Sequence, residues 1–459
     1  AHLRITASPP PLHAQGTVAD SGAIAPRYRA VADRLIDGAL ADSAAYARLA
    51  LLTDRFGPRF SGTPALERAI DWLLGEMRTD GLQNVRAERV MVPHWVRGAE
   101  SAELVLPRRQ RLHMLGLGGS IGTGAKGITA EVLVVSSFDD LRSRAAQAKG
   151  RIVLFDVPFT TYGETVRYRG TGAIEAAKAG ALASLVRSVT PVSLRSPHTG
   201  GMGYDSTVRR IPGAAITVED AMMLHRMQDR GEKIVVTLRM GARTVPDAPS
   251  RNAMAEITGS ERPDEVVVMG GHIDSWDVGQ GAMDDGGGVV VAWEALRLMQ
   301  RLGLRPRRTV RVVAWTNEEN GLRGGTAYRD ARGPEVAKHV LAIESDGGVF
   351  APSGFGFTGS DSAFAIVREA GSLLRRIGAG TVSRGGGGAD IGPLMAQGVP
   401  GMGLNVDGTR YFWYHHTDAD TMDKLDPREM ALCVAAMAVM SYVIADLPEP
   451  LPRGLAPPR

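Results

Sequence analysis

Three apolar runs in the second half of the chain each end in ionisable residues. Residues 266–270 lead into Gly271-His272-Ile273-Asp274, residues 310–316 into Asn317-Glu318-Glu319, and residues 340–343 into Glu344-Ser345-Asp346. If these runs are neighbouring strands of a parallel sheet, their charges meet in one cleft at the carboxyl edge, where such sheets bind ligands. Carboxylates gathered in one place repel, and one must take up a proton unless a cation sits among them. A divalent ion removes that penalty. Asp and Glu oxygens together with neutral His nitrogen suit zinc, with cobalt or manganese as substitutes.

His272 and Asp274 are two apart and share a strand face, so one can bind a metal while the other orients it. Glu318 and Glu319 are adjacent and point apart, which fits one ligand beside one general base. Ala282-Met283-Asp284-Asp285-Gly286-Gly287-Gly288 opens a helix, with Asp284 facing the cleft. Tyr414-His415-His416-Thr417-Asp418-Ala419-Asp420-Thr421 supplies a second imidazole pair. Each fragment alone has a plainer reading: a polar strand end, a solvated helix start, an N-cap or a turn. Together and in this order they point to a metal site.

The elements that must hold these residues follow from hydrophobic period. Residues 28–77 repeat apolar positions at helical spacing, and residues 85–92 alternate as a strand. Residues 97–248 change to short β-rich runs (131–135, 151–155, 235–238) with many glycines and a single helix–strand unit at 174–189. These runs lack the longer alternating helices of a doubly wound sheet and read as an inserted β-rich domain. Strand–helix alternation returns after Asn252, with a helix over 286–302. The fold class expected is therefore α/β, a parallel-dominated mixed sheet flanked by helices. The catalytic domain is discontinuous, 26–96 and 249–447, between an N-terminal tail (1–25) and a Pro-rich C-terminal tail (448–459).

Composition agrees and excludes other classes. The 459 residues are 44% hydrophobic and 22% charged, enough for a large core. The balance of 53 basic to 50 acidic residues, with no block of five or more Lys or Arg, gives no footprint for nucleic acid. The one cysteine, Cys433, cannot form an intrachain disulfide. The longest apolar run, 431–445, falls short of the ~20 residues needed to cross a bilayer and reads as a buried helix, so no membrane span is expected. No intact signal peptide is visible in the first 25 residues. Leu12-His13-Ala14-Gln15 looks like a processed junction, which favours a secreted or periplasmic protein.

The stretch from Gly270 to Gly288, with Glu318-Glu319, Asp346 and the His416-x-x-x-Asp420-Thr421 spacing, resembles the M28 family of co-catalytic zinc peptidases, most closely its plasma glutamate carboxypeptidase branch. The resemblance implies two zinc ions per chain: His272, Asp284 and Asp346 on one, Asp284, Glu319 and His416 on the other, with Asp284 bridging. It implies that Glu318 is the general base, that Asp274 supports His272, and that the Asp284–Asp285 peptide is cis. His415 is expected to donate to the oxyanion. Gly385-Gly386-Gly387-Gly388-Ala389-Asp390 resembles the family's substrate-side loop, with Gly387, Gly388 and Asp390 as substrate contacts. The insert resembles a protease-associated domain.

The implied activity is exopeptidase hydrolysis of dipeptides or short peptides by a homodimer. A glutaminyl-cyclase-like acyltransferase, typically with one zinc, and a non-catalytic binding protein, which would have lost ligands, are the alternatives on the same fold.

Overall fold

The computed structural model describes residues 24–453. Sixteen strands form two eight-stranded sheets. In chain order, β1 is Gln83–Val96, followed by β2 (Glu100–Leu106), β3 (Gln110–Leu112), β4 (Met114–Gly116) and β5 (Ile128–Val135). Next come β6 (Ile152–Phe155), β7 (Ala183–Arg187), β8 (Gly213–Ile216) and β9 (Val235–Met240). The last seven are β10 (Arg243–Ile257), β11 (Arg262–His272), β12 (Arg308–Trp315), β13 (His339–Glu344), β14 (Pro352–Thr358), β15 (Thr381–Arg384) and β16 (Gly401–Val406).

The first sheet has the order β1-β10-β12-β11-β13-β16-β14-β15. Its four central strands are parallel, as their unbroken apolar runs require of strands covered on both faces. Register brings the charged ends level: His272 pairs with Trp315, and Gly270 with both Val313 and Glu344. Helices Ile24–Leu40, Ala44–Phe56, Gly287–Arg301 and Pro427–Asp446 pack in the main core over one face. Pro427–Asp446 is long and apolar enough to cross a membrane, but residues 433–445 are all buried against that core. Local signals set the helix starts: Thr63 caps Pro64–Thr79 and Asp426 caps Pro427–Asp446, each followed by Pro at the first position.

The second sheet, β3-β2-β9-β5-β6-β7-β8-β4, lies wholly within residues 100–240 and has its own apolar clusters on its two faces. Two expectations change here. The boundary near residue 248 moves, because β10 begins at Arg243 and pairs with β1 up to Val96, so the chain leaves and returns along one antiparallel ribbon. The insert is also not simply β-rich. Helix Tyr162–Lys178 joins the parallel strands β6 and β7, and Val218–Asp229 follows β8. The helix–strand unit read at 174–189 caught only the end of the first of these, because its earlier turns bury Thr165, Arg169 and Gly172 where a period search looks for apolar residues.

At the other end, residues 448–453 pack on the first sheet. Leu451 is buried and Arg453 donates to the carbonyls of Val336 and His339. The junction at residues 12–15 lies outside the described residues.

Candidate metal centre

The three predicted strand ends meet, and two loops complete the cluster. Asp284 sits between two imidazoles. His272 Nε2 is 3.3 Å from its Oδ1, and His416 Nε2 is 3.3 Å from its Oδ2. Asp346 Oδ1 lies 3.3 Å from His272 Nε2, and Glu319 Oε2 lies 3.1 Å from His416 Nε2. Each half therefore holds one imidazole, one private carboxylate and one oxygen of a shared carboxylate. Glu318 stands beside the pair, with Oε2 3.9 Å from His272 Nε2.

Backbone hydrogen bonds fix these groups. His272 donates from Nδ1 to the carbonyl of Asp274 at 2.9 Å, which leaves Nε2 with its lone pair. The resemblance assigned Asp274 to His272. The carbonyl makes that hydrogen bond, while the carboxylate, 3.9 Å from Nδ1, instead accepts from the amides of Glu318 (3.1 Å) and Glu319 (3.3 Å).

Three supporting residues carried no role in the sequence reading. Asp420 accepts from three consecutive amides, Ala282 (3.1 Å), Met283 (2.7 Å) and Asp284 (3.1 Å), and so sets the loop that presents Asp284. Asp285 accepts from the amides of His272 and Gly288 at 3.0 Å each. Arg59 donates to the carbonyls of Ile273, Gln280 and Gly281. Asp420 could have been found from its place in the recognised spacing, whereas nothing in the local sequence marks Arg59. The Asp284–Asp285 peptide is cis. Gly288 is required by close packing, since a Cβ there would lie 1.9 Å from the Ser345 carbonyl.

Burial and like-charge repulsion dominate the electrostatics of the cluster. Burial pushes Glu318 up to about 8, and it drives Glu319 and Asp285 well above the carboxylate range. Burial alone would raise Asp284, but the imidazoles of His272 and His416 hold it well below its usual value. His272 Nε2, Asp284 Oδ2 and Glu319 Oε1 are buried without hydrogen-bond partners. Trp276, Asp284, Glu319 and His416 line a void of about 10 Å³, the size of an ion or a water and not of a substrate. Orphaned donor atoms, oxygen and nitrogen ligands and a void of this size fit a divalent metal ion.

The remaining predicted residues fall out differently. The His415 ring stacks on His416 with centroids 3.5 Å apart, and its Nε2 is 3.6 Å from Asp284 Oδ2, inside the cluster. Asp390 is buried with both carboxylate oxygens unpartnered, and burial with the nearby Glu344 keeps it well above its usual value. It is buried at the end of the glycine loop. Gly388 packs where a Cβ would strike the Glu344 carboxylate at 2.1 Å, and Gly387 packs on Met395. A cavity of about 500 Å³ opens beside the cluster between the two sheets, lined by Trp95, Gly118, Gly201, Met202, Glu319 and Leu322 among others.

The profile described as Peptidase family M28 matches residues 252–441, the span holding all five residues of this cluster. Over 429 residues the sequence is 52% identical to carboxypeptidase Q of Xenopus laevis, covering 93% of this chain and 92% of that one. The chain belongs to peptidase family M28. It is a metallopeptidase. The Bos taurus carboxypeptidase Q is 53% identical over 90% of this chain and 88% of its own length. The crystal structure of a Shewanella amazonensis SB2B peptidase M28 precursor superposes with a TM-score of 0.91 at 35% identity, covering 95% of this chain and all of that one. This M28 fold is shared with a Bacillus subtilis zinc aminopeptidase (TM-score 0.66, 21% identity, 87% of this chain and 93% of that one).

Proposed function

We propose that this M28 chain is a di-zinc exopeptidase that hydrolyses dipeptides or short unblocked peptides, in the manner the name of its carboxypeptidase Q relatives denotes. The observation that carries the proposal is the position of Asp284, whose two oxygens each face a different imidazole nitrogen. His272, Asp284 and Asp346 would hold one ion, and Asp284, Glu319 and His416 the other. The bound pair supplies Lewis acidity and a water of lowered pKa. A second complete ligand set speaks against the one-zinc acyltransferase reading, and an intact set speaks against a binding protein.

Glu318 is the base. Its carboxylate sits beside the His272 set without belonging to either set, takes a proton from the attacking water and returns it to the leaving amine. Asp274 keeps Glu318 and Glu319 in place through their amides. His415 is the candidate oxyanion donor, reached by turning its Nε2 from the shared Asp284 oxygen. Asp390 under the glycine loop, with Gly387 and Gly388, would meet the substrate's free amine. The insert, protease-associated-like in this reading, walls the cavity beside the cluster.

The resemblance adds a homodimer and an exported location, which sedimentation and cell fractionation would read. The deciding experiment measures zinc per chain, then turnover of dipeptides, N-blocked dipeptides and longer peptides. Two zinc ions and preference for unblocked dipeptides are expected. One zinc, or no peptide hydrolysis, refutes the proposal.

A further inference from the structure

His416 is held from outside its own domain. Its backbone is in the left-handed region (φ +62°), uncommon for a residue with a side chain. Residues 198–200 of the insert run alongside it. The Thr199 amide donates to the His416 carbonyl at 3.0 Å, and His198 Nδ1 donates to the His415 carbonyl at 2.7 Å. His416 Nδ1 in turn donates to the Thr199 carbonyl at 3.3 Å.

Thr199 is itself fixed from two sides. The buried Arg169 guanidinium donates to the same carbonyl at 3.3 Å and to the Tyr162 hydroxyl at 2.8 Å. The Thr199 hydroxyl donates to the Gly116 carbonyl and accepts from Arg97, which also binds both oxygens of Asp277 in the loop after β11. Gly200 takes φ +136°, and a Cβ there would lie 2.3 Å from the Arg169 guanidinium carbon.

We propose that the Thr199 carbonyl is the positioning group for His416: by accepting Nδ1–H it aims Nε2 at Asp284 and Glu319, so the inserted unit builds one of the two metal sites and not the other. A metal-binding imidazole is normally oriented by an acceptor on its far nitrogen. For His272 that acceptor is Asp274, two residues away in the same strand end. For His416 it belongs to a different sheet's unit, 217 residues away in sequence. The insert is therefore more than a wall of the cleft, since its removal or displacement would unseat a ligand.

The inference rests on the two-zinc reading above, and the test separates the two. Metal-stripped full-length chains are titrated with Zn²⁺ against a chromophoric chelator. His416→Ala identifies which affinity class belongs to the His416 side. Arg169→Met, which frees the Thr199 carbonyl, is expected to weaken that class about 10–100-fold and leave the other within about twofold. Placed on His416→Ala, the same change should have no further effect on the remaining class.

Thr199→Val, which keeps the volume and loses the hydroxyl contacts, should act in the same direction, and it carries the test if Arg169→Met does not fold. Equal weakening of both classes, no weakening, or an added loss on the His416→Ala background overturns the proposal. A wild-type chain that binds only one zinc overturns the reading beneath it.

Discussion

Two of the three imidazoles beside Asp284, those of His272 and His416, are fixed by opposite strategies. His272 ends a central strand, its backbone paired with Trp315 and its ring oriented by a carbonyl two residues on. His416 sits in a loop after β16, in left-handed backbone, held by residues from the second sheet's unit. A ligand of the first kind is made by strand pairing and local chain direction. A ligand of the second kind exists only once two separately cored units have docked. The same number of ligand atoms can therefore have different dependence on tertiary structure, and the two halves of the site should fail under different perturbations.

The largest perturbation erases the distinction. Asp284→Ala removes the carboxylate shared by both halves, and elemental analysis should find both metals lost and hydrolysis absent. Retention of one ion would mean the halves are more independent than their geometry indicates. Glu318→Gln tests the reverse, since it touches neither ligand set. Turnover should fall roughly 10²–10⁴-fold while zinc content stays at the wild-type level. Asp420→Asn loosens the amide grip on the Asp284 loop, and weaker binding of both ions, by about 10–100-fold, is expected in the same chelator titration.

The smallest effect lies at the far end of β13, where acid should act without the site. His339 is buried, and burial lowers its pKa to about 4. The folded chain thus binds this proton later than the unfolded chain, whose His titrates near 6.5, so stability falls as pH drops from about 6.5 towards 4. The contribution is about 1 kcal/mol near pH 6 and about 2 kcal/mol near pH 5, read as the difference in denaturant midpoints between the wild type and His339→Gln. Equal acid sensitivity in the two proteins would remove His339 from the account.

Legibility in the sequence follows the same division. His272, Glu318, Glu319 and Asp346 could be placed because each follows an apolar run, and parallel strands in register must bring their ends together. Asp284 and His416 stood out by residue type and context, but their meeting at one site was legible only from a recognised spacing, because loops carry no periodic signal. Thr199 could not be read at all, since it acts through a backbone carbonyl that every residue possesses. Only the end of helix Tyr162–Lys178 was read, because an arginine, a threonine and a glycine occupy the inner face of its earlier turns. The burial of Asp390 was not legible either, since nothing in the run Gly385-Gly386-Gly387-Gly388-Ala389-Asp390 marks an inward-facing position.

The paired ribbon formed by β1 and β10 bears on how such an enzyme came to be assembled. Val96 and Arg243 face each other across one strand spacing, so a two-residue hairpin could rejoin the chain there with the peptidase sheet left whole. The ribbon is thus a place where the second sheet's unit joins the first without interrupting the hydrogen-bond ladder of the peptidase sheet. If its Thr199 carbonyl orients His416 as proposed, that unit is separable in chain path but not in function.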